Sequence, residues 1–289
     1  MATPAQWVAG ARPRTLPAAL APVLVGSGVA QALDGFRLVP ALLALVVALA
    51  LQVGVNYAND HSDGKRGTDA DRVGPMRLVG SGAASASAVL VAALLAFAVA
   101  GVAGIALAAL SSWWLVAVGA VSIVAAWTYT GGPIPYGYRA LGEVFVFVFF
   151  GLVAVVGTTF AQTRTVEGLA FAAAVPVGLL ITAILVVNNL RDVHGDAAVG
   201  KRTLAVLLGE QATRYAFTGL IVGAFVVVAL IGLSHPWALL GLLAVPLAVP
   251  PVRTVLRGGV GPALITALSG TGRLTLVAGV VLAVGLALS

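Results

Sequence analysis

The chain has 289 residues, of which 60% are hydrophobic and 9% charged, with no cysteine and a formal net charge of +6. Soluble domains carry roughly 25% charged residues, so the composition excludes an ordinary water-soluble enzyme and points to a polytopic membrane protein. The lack of cysteine excludes disulfides and thiolate metal sites, and the basic residues lie in short loops between apolar runs, which argues for orientation in a bilayer and against nucleic-acid binding.

In chain order, the apolar runs predict nine membrane-spanning helices, near 15–33, 38–58, 84–110, 113–129, 141–162, 169–190, 213–233, 236–252 and 271–288. The N-terminal stretch MATPAQWVAGARPRTLPAAL lacks a short apolar core ending in a cleavage site. Its basic pair, Arg12 and Arg14, precedes a longer apolar run, so that run is expected to be a retained first span. Pro246, Pro250 and Pro251 interrupt the eighth span, and 258–270 reads as a short helix at the interface. The stretch AVLVAALLAFAVAGVAGIALAAL is rich in small residues, which let membrane helices approach closely. The expected fold is an all-α, polytopic membrane helix bundle forming a single domain over 1–289.

A cytoplasmic N-terminus puts every Lys and Arg except Arg37 and Arg164 on the cytoplasmic side, as the positive-inside rule requires. The acids gather on that side too, with only Asp34 and Glu167 opposite. The rule does not cover acids, so their placement needs another cause.

Two acidic clusters supply one. VNYANDHSDGKRGTDADR follows the second span and VNNLRDVHGDAAVGKRTLAVLLG follows the sixth. Asn56 and Asp60 are spaced i, i+4, as are Asn188 and Asp192; a further acid follows each pair, Asp63 and Asp196. This is a weak internal repeat of a helix unit, with motifs at 56–71 and 188–196, and paired repeats often share a site at their interface. Residues at these spacings share a helix face, so Asn56, Asp60 and Asp63 form one oxygen-rich face and Asn188, Asp192 and Asp196 another. Such faces repel unless cations lie between them. Hard oxygen ligands suit Mg²⁺, which takes one or two carboxylates plus phosphate and water. Lys65, Arg66, Arg72, Arg77, Lys201 and Arg202 are placed to neutralise phosphate oxygens. His61 and His194 are expected to make local hydrogen bonds, because Mg²⁺ prefers oxygen.

At these residues the chain resembles the UbiA-type intramembrane aromatic prenyltransferases, whose two aspartate-rich motifs follow the second and sixth of nine helices. The blocks ARPRTLPAALAPVLVGSG, NYANDHSDGKRGTDADRVGPMRLV, YTGGPIPYGYRALGEVFVFVFFG and NNLRDVHGDAAVGKRTLAVLLG are most similar to the branch that prenylates 1,4-dihydroxy-2-naphthoate in menaquinone biosynthesis. One position departs: many relatives read N-D-x-x-D-x-x-x-D in the first motif. Here Asn59, Asp60 and Asp63 fit, but Gly67 stands last. The alternative frame, Asn56-x-x-x-Asp60, matches the second motif and favours Asn56, Asp60 and Asp63 as the first cluster's core, leaving the role of Asp69 open.

The resemblance implies transfer of a polyprenyl group from polyprenyl diphosphate to the naphthoate ring, with loss of diphosphate and CO₂, at the cytoplasmic face of the cell membrane. It implies Mg²⁺, with two ions bridging the diphosphate, and catalytic roles for Asp60, Asp63, Asp192 and Asp196. The C–O bond breaks to an allylic cation, which must be shielded from water, and the tail is expected in a groove open to lipid. Tyr129 and Arg139 are candidates for holding the aromatic anion, with Asn59 facing the cavity. Related acceptors, namely 4-hydroxybenzoate, homogentisate, haem or a sugar phosphate, stay open. Two other classes compete. Asp60-x-x-Asp63-Gly64 resembles the start of the CDP-alcohol phosphotransferase signature, but 76–82 holds no acid to complete it. A transporter would carry acids near mid-membrane, whereas these lie at one face.

Overall fold

The computed structural model describes residues 2–67 and 76–289, and among them every regular element is helical. The elements are α1 (Pro4–Gly10), α2 (Pro17–Ala32), α3 (Leu38–Arg66), α4 (Ala86–Leu110), α5 (Trp114–Thr128), α6 (Gly142–Thr163), α7 (Gly168–Ala198), α8 (Leu204–Leu208), α9 (Glu210–Ile231), α10 (Pro236–Leu256) and α11 (Pro262–Ala287). Seven of the nine apolar segments read from sequence, α3, α4, α6, α7, α9, α10 and α11, are long and apolar enough to cross a membrane. The first segment qualifies only as a pair, Pro4–Thr15 with Pro17–Ala32, bent by 50°. The fourth, α5, is apolar but only 15 residues long.

Proline and glycine explain the local irregularities. α10 begins as a 3₁₀ turn over Pro236–Ala244 and becomes α-helical at Val245, with Pro246 in its first turn, where a missing N–H costs nothing. α6 carries a π-helical segment over Phe147–Val153, a feature frequent at functional sites. The expected short helix at 258–270 is instead the start of α11, which runs unbroken from Pro262. No proline lies beyond that first position to stop it. The sequence boundary near 271 still has meaning, because Gly272 packs beside Arg14 and Pro17 at the start of α2. The first turns of α11 therefore project beyond α2.

α7 is the central helix: 72% of its apolar stretch is buried, against 28% for α3. Around it the core is built from Ala, Val and Leu, for example Ala173, Ala174, Val177 and Ile181 against Val25, Val155 and Leu282. Helix association in lipid depends on such close packing, since burial from lipid gains no hydrophobic energy. α2 and α11 touch through Gly28, where an added Cβ would overlap the backbone of Ala283.

Length places the polar residues. α3 has 29 residues and α7 has 31, hence about 43 and 46 Å at roughly 1.5 Å per residue. A hydrocarbon core is about 30 Å thick, so both helices overshoot it. Their C-terminal turns carry the two acidic motifs.

Gly28→Leu is expected to lower the apparent melting temperature of detergent-purified protein by several degrees, since overpacking costs about 1–3 kcal/mol. Gly219→Leu, with open space around it, is expected to leave the melt unchanged. Equal melts for the two variants would contradict this packing.

Candidate active site

A cavity of about 770 Å³ lies between α3, α4, α5, α6 and α7. Its walls are apolar, with Val47, Leu51, Ile105, Val116 and Val153 among them. Its polar end gathers Asn56, Asn59, Asp63 and Arg77 from the first motif with Asn188, Asp192, Asp196 and Lys201 from the second. The two motifs therefore line one space.

On α3 the cavity face is Asn56, Asn59 and Asp63, followed by Gly67. Asp60 corrects the expected face. It is 1% exposed and does not line the cavity; its carboxylate accepts the backbone N–H of Leu78 at 2.7 Å and of Val79 at 3.1 Å. One residue past Asn59, it is turned about 100° round the helix, toward the returning chain. Asn56 lines the cavity, but its amide nitrogen donates to Ala11 O at 2.9 Å and Thr15 Oγ1 at 3.1 Å. Gln52 donates to the same hydroxyl at 3.0 Å. These bonds fix the turn that presents Arg12, left-handed at φ 55°, to the cavity.

On α7, Arg191 forms a two-point pair with Asp192, Nε to Oδ1 at 2.7 Å and Nη2 to Oδ2 at 2.6 Å. The same Nη2 donates to Asn188 Oδ1 at 3.0 Å. The helix ends in a Schellman cap: Gly200, at φ 72°, donates to Ala197 O, and Lys201 N–H donates to Asp196 O at 2.8 Å. That turn brings Lys201 back over the helix end, 3.4 Å from Asp196 Oδ1. Asn189, also on the cavity wall, donates to Glu143 Oε1 at 2.9 Å.

The chain between α5 and α6 laces the motifs together. Tyr138 donates to Asp63 Oδ1 at 2.8 Å, and its ring lies between the Arg66 guanidinium at 5.2 Å and the Lys201 ammonium at 5.1 Å. Thr130 donates to Asn59 Oδ1 at 2.7 Å, and Arg66 donates to the carbonyls of Thr130 and Gly132. Tyr129, Tyr136, Phe145 and Phe149 form a ladder of touching rings on the cavity wall, with successive centroids 5.4, 4.0 and 6.0 Å apart. Burial pushes the Tyr136 phenol above its ordinary range, so it stays neutral.

Other expected site residues fall elsewhere. Lys65 and Arg139 are exposed and off the cavity, Arg139 joining Arg202 through a backbone bridge. Arg66 serves the loop carbonyls, and Arg77 lines the cavity 3.7 Å from Asp63. Arg72, like Asp69 and Asp71, lies outside the described residues. His61 meets Ala86 O at 2.8 Å and His194 meets Glu210 at 3.0 Å, local partners in both cases. Arg191 and Asn189 were missed from sequence. The signal for Arg191 was its place between Asn188 and Asp192, three residues from the first and next to the second.

The donors at the polar end are carboxylate and amide oxygens, the chemistry Mg²⁺ selects. Among the described residues no three His, Cys, Asp or Glu side chains form a metal cluster on their own.

Comparison with known proteins gives a consistent picture. Residues 19–258 match the model of the UbiA prenyltransferase family. The chain is 52% identical over 277 residues to the 1,4-dihydroxy-2-naphthoate octaprenyltransferase of Mycobacterium tuberculosis strain H37Rv, covering 96% of this chain and 95% of the relative. It is 32% identical to the Bacillus subtilis protein of the same name, covering 96% and 91%. Among solved structures it resembles a UbiA homolog from Aeropyrum pernix K1, with TM-score 0.69, 16% identity, and 93% and 96% of the chains covered. A UbiA homolog from Archaeoglobus fulgidus bound to DMAPP and Mg²⁺ matches with TM-score 0.61 and 16% identity over 96% and 99%.

Asp60→Ala is expected to speed amide exchange at Leu78 and Val79 by about ten- to a hundredfold, the size of leaving buried donors unpaired. Unchanged exchange at both would show that Asp60 does not hold this turn.

Proposed function

The chain belongs to the UbiA prenyltransferase family, and on that premise we propose that it transfers a polyprenyl group from polyprenyl diphosphate to 1,4-dihydroxy-2-naphthoate. Diphosphate and CO₂ leave, and demethylmenaquinol is the product. The observation that carries this reading is the cavity itself: one end charged, the rest apolar, with both motifs at the charged end. The high identity to named naphthoate octaprenyltransferases supports the acceptor.

Asn59, Asp63, Asn188, Asp192 and Asp196 would hold Mg²⁺, as two ions. When bound, the metal neutralises charge on the departing phosphate oxygens. Arg12, Arg77 and Lys201 add fixed positive charge around the same group. The apolar wall receives the isoprenoid tail. The ring ladder from Tyr129 to Phe149 offers π faces to an allylic cation and excludes water, which would otherwise trap it. The neutral Tyr136 phenol does not compete as an anionic nucleophile. The acceptor carbon carries a carboxylate, so the pair from the broken C–C bond returns to the ring as CO₂ departs. No side-chain base is required at that carbon.

The same reading makes the chain a single domain of nine spans in the plasma membrane, with a cytoplasmic N-terminus and active site. The parallel run of α2 and α11, with Pro17 beside Gly272, Ala21 beside Gly279 and Gly28 beside Ala283, supports an odd number of spans, since first and ninth spans run in the same direction.

Membranes carrying the protein, supplied with a polyprenyl diphosphate, Mg²⁺ and 1,4-dihydroxy-2-naphthoate, are expected to yield prenylated naphthoquinol and an equal amount of CO₂. Product only with 4-hydroxybenzoate, homogentisate, haem or a sugar phosphate would replace the acceptor. Solute flux without any product would replace the reaction class. Asp63→Asn and Asp192→Asn are each expected to lower turnover by about a hundredfold or more, the size of losing one preorganised electrostatic contact.

A further inference from the structure

Arg191 places a permanent cation inside the second motif. Its side chain is 1% exposed, so its charge is withdrawn from water. Three hydrogen bonds hold it: two to the Asp192 carboxylate and one to the Asn188 amide oxygen. Two of the five side chains proposed to hold Mg²⁺, Asn188 and Asp192, are therefore already held by the guanidinium.

A guanidinium bound at two points covers the open side of a carboxylate. A metal ion binding Asp192 competes with that cation for both carboxylate oxygens, and like charges in a buried space repel strongly. Simple displacement would leave a buried guanidinium without its counter-ion, which is costly. An anion arriving with the metal removes that cost. The cavity offers room for it, and Asp63, Asp192 and Asp196 share that cavity with Arg12, Arg77 and Lys201.

We infer that Arg191 is a positioning residue that exchanges partners. In the metal-free protein it neutralises Asp192 and holds Asn188 beside it. When metal and diphosphate enter together, Asp192 and Asn188 turn to the metal and the guanidinium turns to a diphosphate oxygen. Metal and diphosphate then bind cooperatively, and by linkage each raises the other's affinity by the same factor. Neither alone opens the site well. This inference rests on the metal–diphosphate reading of the two motifs.

Mn²⁺ binding to purified full-length protein, followed by electron paramagnetic resonance with and without inorganic diphosphate, separates the two. Free Mn²⁺ is corrected for its diphosphate complex in solution. Wild type is expected to bind Mn²⁺ weakly alone and about tenfold or more tightly with diphosphate, within the usual range of coupling between sites. Arg191→Gln is expected to bind Mn²⁺ alone more tightly than wild type and to lose most of that coupling. Arg191→Lys keeps the charge but not the two-point hold; it is expected to fall between them, and it decides the matter if the Gln variant does not fold. Variants that bind Mn²⁺ alone no more tightly than wild type would overturn the exchange while leaving the metal site standing. A wild type that binds no Mn²⁺ even with diphosphate would overturn the metal site and the exchange with it.

Discussion

Carboxylates at the ends of two membrane helices that line one cavity repel, and the low-dielectric surroundings strengthen that repulsion. The rest of the site follows from how this charge is balanced. In the protein itself each acid has a positive or hydrogen-bonding neighbour: Asp63 has Tyr138 and Arg77, Asp192 has Arg191, and Asp196 has Lys201. Tyr138 lies between Arg66 and Lys201 and so joins the two halves. The arrangement is balanced without a ligand, yet its cations and oxygens are those that a metal diphosphate would re-pair.

That balance depends on the fold at two levels. α3 and α7 are long enough to carry polar turns beyond the apolar core, and the acids sit on those turns. Small residues such as Gly28 and Ala283 let the helices approach closely. The apolar cavity beneath the motifs takes its wall in part from α5, through Leu115, Val116, Gly119 and Ile123. Charge at one end and a greasy wall along the rest is what an amphipathic diphosphate ester requires.

Much of this was legible in the sequence. Apolar runs revealed the helices, and the clustering of acids singled out the two helix ends that line the polar end of the cavity. The spacing of Asn and Asp identified both motifs. The choice of frame in the first motif was harder, because Asn56, Asn59, Asp60 and Asp63 all fall within two turns, and several sets share a helix face. The deciding factor was the chain that returns at Leu78 and Val79 to claim Asp60, a contact no local spacing reveals. With Asn59 and Asp63 on the cavity, the match to Asn188 and Asp192 keeps the same i, i+4 step but shifts the repeat by about one turn. Arg191 was hidden for a different reason: beside an acid on a membrane loop, an arginine looks like a topology signal. Its burial and three-point grip appear only once α7 is packed at the centre of the bundle. The boundary read near 271 marks where Gly272 packs against Arg14 and Pro17, not an end of α11.

The most direct test of the account is a crystal structure with Mn²⁺ and a diphosphate substrate analogue, using anomalous scattering to locate the metal. The account predicts Mn²⁺ between the carboxylate of Asp63 and those of Asp192 and Asp196, with diphosphate spanning the two motifs and the tail along the apolar wall. Metal bound to one motif alone, or at Asp60, with diphosphate elsewhere, would contradict it.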